Sequence, residues 1–197
     1  MPLLSQANLQ NWYVKNKMSM MDIAILCKCS VHKVQYWMKK YEIPTRSISD
    51  AAYTKHNPDG DPFSWTPPKN PDDHILYGLG MGLYWGEGTK SCTSGVRLGN
   101  TDPKLLLSFM RFLIRFFRIR REDFRFGLQV FSDINPEDAL DYWTKTLKVP
   151  KSQFHKKVIV TRSGSLGTYR KKSVYGVVTV LYHNKKLRDA LCHRLPL

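Results

Sequence analysis

One acidic residue stands at the end of a glycine-rich segment, and its position could support metal-dependent chemistry. The segment that follows Asn70 contains Gly78, Gly82 and Gly86 at intervals of four residues, directly before Glu87. Because residues four apart share a helix face, these glycines form a stripe that another backbone can approach closely. If two copies of the helix pair along this stripe, two Glu87 carboxylates meet, and such like charges are unfavourable without a cation between them.

The cation that suits two carboxylates at a helix end is Mg²⁺, which prefers carboxylate, carbonyl and water oxygens. A divalent ion held next to a nucleic-acid backbone can activate a water molecule and stabilise a leaving oxygen. The position of Glu87 therefore predicts a metal site that could serve phosphodiester hydrolysis.

The helix that positions this acid has a clear start and an unusual composition. Asn70 is a good N-cap, Pro71 fits the first helical position, and Asp72 and Asp73 suit the positive end of the helix dipole. The apolar run that follows is 11 residues long, too short to span a bilayer. A helix that is apolar on nearly all sides is expected to pack both on its own domain and on a partner.

A second motif lies near the N-terminus, between residues 22 and 40. Two short apolar helical faces flank a tight turn at Lys28-Cys29, and Ser30 is placed to cap the second helix. This is the pattern of a helix-turn-helix, with a first helix around Leu9–Val14 completing a three-helix core. The second helix of such a unit lies in the major groove. Its outward residues are the predicted DNA contacts: His32, Lys33, Gln35, Tyr36, Lys39 and Lys40.

Composition and charge fit a nucleic-acid partner. The chain has 197 residues and a net charge of +15, which favours a polyanion, and no signal peptide or membrane span is evident. Turn and breaker residues suggest three parts: a helical unit at 1–47, a linker at 48–70 and a main domain at 71–197. We expect a cytoplasmic, nucleoid-associated protein that does not bind membranes, with Phe63 and Trp65 anchoring the linker to the main domain.

The segment Gly80 to Gly88, GMGLYWGEG, resembles the signature of the LAGLIDADG homing endonucleases. The first two positions depart from the usual Leu-Ala, and Trp85 replaces an often acidic residue. The eighth position, the metal-binding acid of the family, falls on Glu87. The matching residues are Gly82, Leu83, Gly86, Glu87 and Gly88.

The order of elements after the motif also resembles that family. Alternation of Phe124, Phe126, Leu128 and Val130 predicts a half-buried strand, and helices are expected at 100–118, after Asn135 and from Lys185. Allowing for one extra helix, the resemblance implies an α+β fold with an αββαββα saddle whose sheet lies in the DNA major groove. The predicted DNA-facing residues are Arg97, Arg125, Gln129, Lys157, Arg162, Arg170, Lys171 and Lys172.

A single motif implies a homodimer, with Gly78, Gly82 and Gly86 at the interface. The resemblance thus predicts a homodimeric, sequence-specific DNA endonuclease. Glu87 and the Gly86 carbonyl would bind Mg²⁺, for which Mn²⁺ could substitute. A basic residue would stabilise charge at the scissile phosphate; the candidates are Lys90, Lys171 and Lys172.

Two other functions remain open on the sequence. One is a DNA-binding transcriptional regulator on the same scaffold without catalysis, against which the retained acid Glu87 argues. The other is an RNA-splicing helper, which would prefer folded RNA to duplex DNA. Four further histidines show no ligand spacing and are expected to be structural: His74, His155, His183 and His193.

Overall fold

A computed structural model describes residues 3–91, 94–162 and 174–196, which form helices and one mixed sheet, so that the predicted α+β class is confirmed. The chain divides into two units, Met1–Pro62 and Phe63–Leu197. This division differs from the predicted boundaries because part of the expected linker is helical and the rest packs on the second unit.

The helices of the first unit begin where serine residues can cap them. The Oγ of Ser30 accepts a hydrogen bond of 3.2 Å from the amide of Lys33, as predicted, and the turn before it places Lys28 at φ 48°. A helix also occupies the first half of the expected linker. In chain order the unit contains α1 (Gln6–Leu9), which continues into a π-helical stretch (Gln10–Lys15), then α2 (Met20–Leu26), α3 (Val31–Lys40) and α4 (Ile48–His56).

The core of the first unit follows the predicted helical spacing with one exception. Leu26 shares the apolar helical spacing of Ile23, Ala24 and Cys27, but its side chain is 44% exposed, whereas the other three residues are buried. The buried residues of this core are Leu9, Tyr13, Ile23, Ala24, Cys27, Val34, Met38 and Ile43.

Arg46 joins the segment that follows α3 to the beginning of the first unit. Its backbone amide donates to the Tyr13 hydroxyl at 2.8 Å, and its guanidinium lies 4.2 Å from the centre of the Tyr13 ring. The same guanidinium donates to the carbonyls of Lys17 and Met18. Helix α4, which follows, has no buried residue.

The second unit contains the remaining helices and all four strands. Its first helix has the predicted cap: the Asn70 side chain accepts from the amide of Asp73 at 2.8 Å. Apart from one extra helix, α6, the element order is αββαββα, as expected. The elements are α5 (Pro71–Glu87), β1 (Val96–Asn100), α6 (Pro103–Phe117), β2 (Arg125–Phe131), α7 (Pro136–Leu147), β3 (Ile159–Thr161), β4 (Val177–Tyr182) and α8 (Lys185–Cys192).

The sheet has the order β1-β4-β2-β3 and two different faces. The β1–β4 and β4–β2 pairs are antiparallel, and the short β3 pairs with β2 in parallel. One face packs with the helices in a single apolar core. The other carries the alternate residues of each strand, and among the described residues no helix packs on it. The inward strand residues are Val96, Leu98, Phe126, Leu128, Val130, Val178 and Val180.

The second half of the expected linker is anchored as predicted. The amides of Ser64 and Thr66 donate to the carbonyls at the end of α6, at 3.1 Å and 2.8 Å. The Trp65 ring lies 5.3 Å from Tyr77 and 5.4 Å from Phe117, measured between ring centroids. Residues 63–66 therefore belong to the second unit.

The glycines of α5 fall into two groups with opposite surroundings. A Cβ added at Gly80 would lie 2.1 Å from the Phe112 ring, because α5 and α6 meet closely there. A Cβ added at Gly78 would have no atom outside its own helix within 4 Å.

We predict that Gly80→Ala lowers the free energy of unfolding by about 1–3 kcal/mol through overpacking, whereas Gly78→Ala raises it by roughly 0.5–1 kcal/mol. Urea unfolding of both variants measures this, and equal effects would contradict the assigned faces.

A bidentate ion pair joins α5 to α6. The Arg115 guanidinium donates to the two carboxylate oxygens of Asp73 at 2.9 Å and 2.6 Å, and the Lys69 amide donates to the same carboxylate at 3.0 Å. Burial acts to raise the pKa of Asp73, but these donors outweigh it, so that the pKa lies below its ordinary value of 3.8. The carboxylate therefore contributes stability above that value and loses it as pH falls through the lowered pKa.

We predict that Asp73→Asn lowers the melting temperature at pH 7, and that the difference from wild type shrinks as pH falls below 3.8, where the native carboxyl becomes protonated. Thermal unfolding followed by circular dichroism over this pH range measures it. Asp138→Asn, in the first turn of α7, is the matched control and should have little effect at any pH. A difference that stays constant with pH would show that the charge of Asp73 is not what stabilises the helix pair.

Candidate nucleic-acid interface

Glu87 lies where α5 ends at the edge of the sheet. Gly88 leaves the helix in an extended conformation and forms an antiparallel bridge with Leu98, and the amide of Thr89 donates to the Arg97 carbonyl at 3.0 Å. The Glu87 side chain is exposed, and within the described ranges no hydrogen bond or ion pair engages its carboxylate. The acid is thus held beside β1 by a fixed backbone while its oxygens remain available to a ligand.

Lys90 shares this helix end with Glu87. Its ammonium group donates to the Trp85 carbonyl at 2.5 Å, so that a positive charge lies at the negative end of the helix dipole. The structure therefore brings Lys90, one of the three predicted catalytic lysines, to the predicted acid. Lys171 and Lys172 lie outside the described residues.

One face of α5 is apolar and exposed, and we call it the glycine face. A Cβ added at Gly78, Gly82 or Gly86 would meet no atom outside the helix within 4 Å, and Ile75 and Trp85 beside them are 69% and 50% exposed. The prediction of burial on nearly all sides is therefore not met within a single chain. The glycine face consists of Ile75, Gly78, Leu79, Gly82, Trp85 and Gly86.

The helix-free face of the sheet, which we call the open sheet face, is polar and basic. Arg97 and Arg125 flank Leu181 of the central strand, and Gln129 donates to the Thr161 hydroxyl at 3.0 Å across the β2–β3 pair. Gly99 and Gly127 both pair with Thr179 of β4. Because they have no side chains, the centre of the face lacks large side chains. The alternation of β2 predicted that Arg125 and Gln129 face away from the core, and this is confirmed.

Arg97 differs from the other basic residues of this face because it is half-buried. Its Nε is buried without a hydrogen-bond partner among the described atoms, and its terminal nitrogen lies 3.4 Å from the Ser94 hydroxyl. A buried donor without a partner is unfavourable.

The other predicted sheet contacts lie away from the strand centres. Lys157 is exposed in the segment before β3, and Arg162 directly follows β3. Arg170 lies outside the described residues. The structure thus places Arg97, Arg125 and Gln129 together on one face, and Lys157 and Arg162 at its margin.

Helix α3 of the first unit presents all its predicted contact residues to solvent. The Tyr36 ring stands edge-on to Trp37 at 5.6 Å between centroids, and the Lys40 ammonium lies 4.7 Å from the centre of the Trp37 ring. The exposed set is His32, Lys33, Gln35, Tyr36, Lys39 and Lys40. Helix α3 therefore combines a basic surface with polar groups that can bond to base edges.

Two histidines on the open sheet face had no signal in the sequence. His155 lies beside Gly127, and its ring centroid is 6.3 Å from that of His183, which follows β4. Burial lowers the pKa of His183, and His155, Arg97 and Arg125 lower it further. Their spacing along the chain gives no hint of this neighbourhood, because only the pairing of β2 with its two neighbours brings them together.

The donors at the end of α5 suit a hard cation. The Glu87 carboxylate and the Gly86 carbonyl are oxygen ligands of the kind that Mg²⁺ and Mn²⁺ accept. Within the described part of one chain, no three His, Cys, Asp or Glu side chains gather closely enough to hold a metal ion.

No helix among the described residues is both long and apolar enough to cross a bilayer. No family model, no curated protein sequence and no solved structure matches this chain. The resemblance to the LAGLIDADG endonucleases therefore rests on the motif residues and on the order of the elements.

Proposed function

We propose that this protein is a homodimeric, divalent-metal-dependent and sequence-specific DNA endonuclease. The observation that carries the proposal is the exposed, unpaired Glu87 carboxylate at the junction of the glycine face and the open sheet face. The first surface suits a second copy of the chain, and the second suits a polyanion. Glu87, between these two surfaces, would hold a metal ion next to the bound DNA backbone.

DNA would be read by both units. The second unit would act as a LAGLIDADG-like saddle whose open sheet face enters the major groove. There Arg125 could recognise guanine and Gln129 adenine, the pairings that side-chain geometry favours. The first unit would act as a helix-turn-helix, with Gln35 of α3 on base edges and its lysines on phosphates. The net charge of +15 implies binding that weakens steeply with salt.

The dimer would form through the glycine face. Glycines at every fourth position let two helix backbones approach closely, while exposed Ile75 and Trp85 would gain burial on association. Such pairing around a twofold axis brings the two helix ends, and hence the two Glu87 carboxylates, to the same place.

Where the two α5 ends would meet, Glu87, Lys90 and Arg97 would have separate roles. Glu87, with the Gly86 carbonyl, would hold Mg²⁺, which when bound supplies activation of water and stabilisation of the leaving oxygen. Lys90, held against the Trp85 carbonyl, would add positive charge near the scissile phosphate. Arg97 would position the backbone through its guanidinium group.

A randomised duplex library incubated with Mg²⁺, and in parallel with Ca²⁺, tests the proposal. Discrete ends that require Mg²⁺ and surround one enriched sequence are expected. Retention of a specific duplex without cutting in any divalent metal would overturn catalysis and favour a transcriptional regulator. Preference for folded RNA over duplex DNA would favour the RNA-splicing helper instead.

A further inference from the structure

Four side chains that can be cationic gather at one end of the open sheet face. Arg97 of β1 and Arg125 of β2 lie on either side of Leu181, which is almost fully buried between them. His183 is two residues beyond Leu181 along the same strand line, and its ring lies 6.3 Å from that of His155. We call Arg97, Arg125, His155 and His183 the cationic cluster.

The described ion pairs leave this positive charge uncompensated. Neither arginine of the cluster forms an ion pair with a described carboxylate, and Arg125 donates only to the carbonyls of Glu122 and Phe124. The carboxylate of Asp123, just before β2, is held by Arg120 at 2.8 Å, and Glu122 lies 3.5 Å from the same guanidinium. The two acids just before β2 are therefore engaged by Arg120.

The cationic cluster is suited to bind an anion from outside the protein. Like charges in one place disfavour protonation of the histidines, and a negative group between them would reverse this preference. The pKa of His183 is lowered by burial and then by its three cluster neighbours, so that its free ring is mostly neutral at pH 7. The guanidinium groups of Arg97 and Arg125 supply donors for the same anion.

We propose that the cationic cluster binds a backbone phosphate of the nucleic acid and that His155 and His183 take up protons when it binds. This inference rests on the proposed nucleic-acid binding but is independent of cleavage. Because binding would raise the proton affinity of both rings, affinity must increase as pH falls. Each proton taken up contributes up to about a tenfold gain in affinity per pH unit.

The test measures binding of the full-length protein to a fluorescent duplex from about pH 5.5 to pH 8, the range in which histidines titrate, at constant salt and without divalent metal. The wild type is expected to bind at least about tenfold more tightly at the acidic end. The double variant His155→Gln, His183→Gln should lose most of this gain. The matched control is His74→Gln, His193→Gln, which removes two exposed histidines outside the cluster and should keep the gain.

A second measurement follows the histidine ring signals by NMR with and without the duplex. The ring signals of His155 and His183 should move toward those of protonated imidazole on binding at constant pH, and the signals of His74 and His193 should stay constant. Binding with the same pH dependence in wild type and in the cluster variant would overturn the inference and leave the proposed function intact. Absence of duplex and RNA binding at every pH would instead overturn the proposed function. The same movement of both cluster signals with inorganic phosphate alone would then identify free phosphate as the ligand and overturn the link to nucleic acid.

Discussion

Glu87→Gln is expected to abolish DNA cleavage while leaving DNA binding intact. The amide keeps the size of the side chain but loses the charge that would hold a divalent cation, and the exposed carboxylate has no described partner whose loss would disturb the fold. We expect a rate reduction of more than about 100-fold, comparable to removal of one transition-state-stabilising group. Affinity for the duplex should stay the same or increase, since one negative charge near the backbone is removed.

Single-turnover cleavage with Mg²⁺ and duplex binding with Ca²⁺ measure the two effects separately. Glu137→Gln is the matched control, because Glu137 is also an exposed glutamate and its ion-pair contact, Lys151, lies at 3.9 Å. Cleavage by Glu87→Gln at the wild-type rate would show that another residue holds the metal. Loss of binding together with cleavage would assign Glu87 a role in positioning DNA.

If the chain pairs through the glycine face as proposed, Gly82→Leu is expected to leave it monomeric. Nothing outside α5 lies within 4 Å of a Cβ added at Gly82, so that the fold of one chain should accept the new side chain. Replacing an exposed helical glycine should even stabilise the monomer, by roughly 0.5–1 kcal/mol. Between two paired helices, however, the same side chain would prevent close approach and weaken dimerisation by about 100-fold or more, as expected at the centre of an interface.

Sedimentation equilibrium over a range of protein concentrations measures the dissociation constant, and cleavage should fall with the dimer fraction. Ala51→Leu adds similar apolar bulk to an exposed position of α4 and should leave dimerisation unchanged. An unaltered dimer in Gly82→Leu would exclude the glycine face as the interface. A wild-type monomer at all concentrations, with and without DNA, would refute the dimer itself.

The elements of this protein could be predicted because their signals are local. Ser30, Asn70 and Asp102 each accept a hydrogen bond from a backbone amide two or three residues later, and a helix follows each of them. Alternation along β2 also assigned its two faces correctly. Such signals act over a few residues, so that the amino-acid order is sufficient to recognise them.

Boundaries were less predictable where weak local signals compete with packing. The segment after Ser47 contains α4, although nearby turn residues suggested a linker, and residues 63–66 join the second unit through hydrogen bonds to α6. Leu26 fits the apolar spacing of α2 but is exposed. A contact with a distant element, α6, decides the place of residues 63–66, whereas α4 begins at its own Ser47 cap.

The sequence alone determined the acid, the glycine spacing, the basic charge and the sequence of helices and strands. Only the tertiary structure decided that Gly80 faces Phe112 while Gly78 and Gly82 face solvent, and that His155 meets His183. Both results depend on which elements pack together and in which register. Strand register places residues far apart in the chain side by side, and no pattern within either segment specifies its partner.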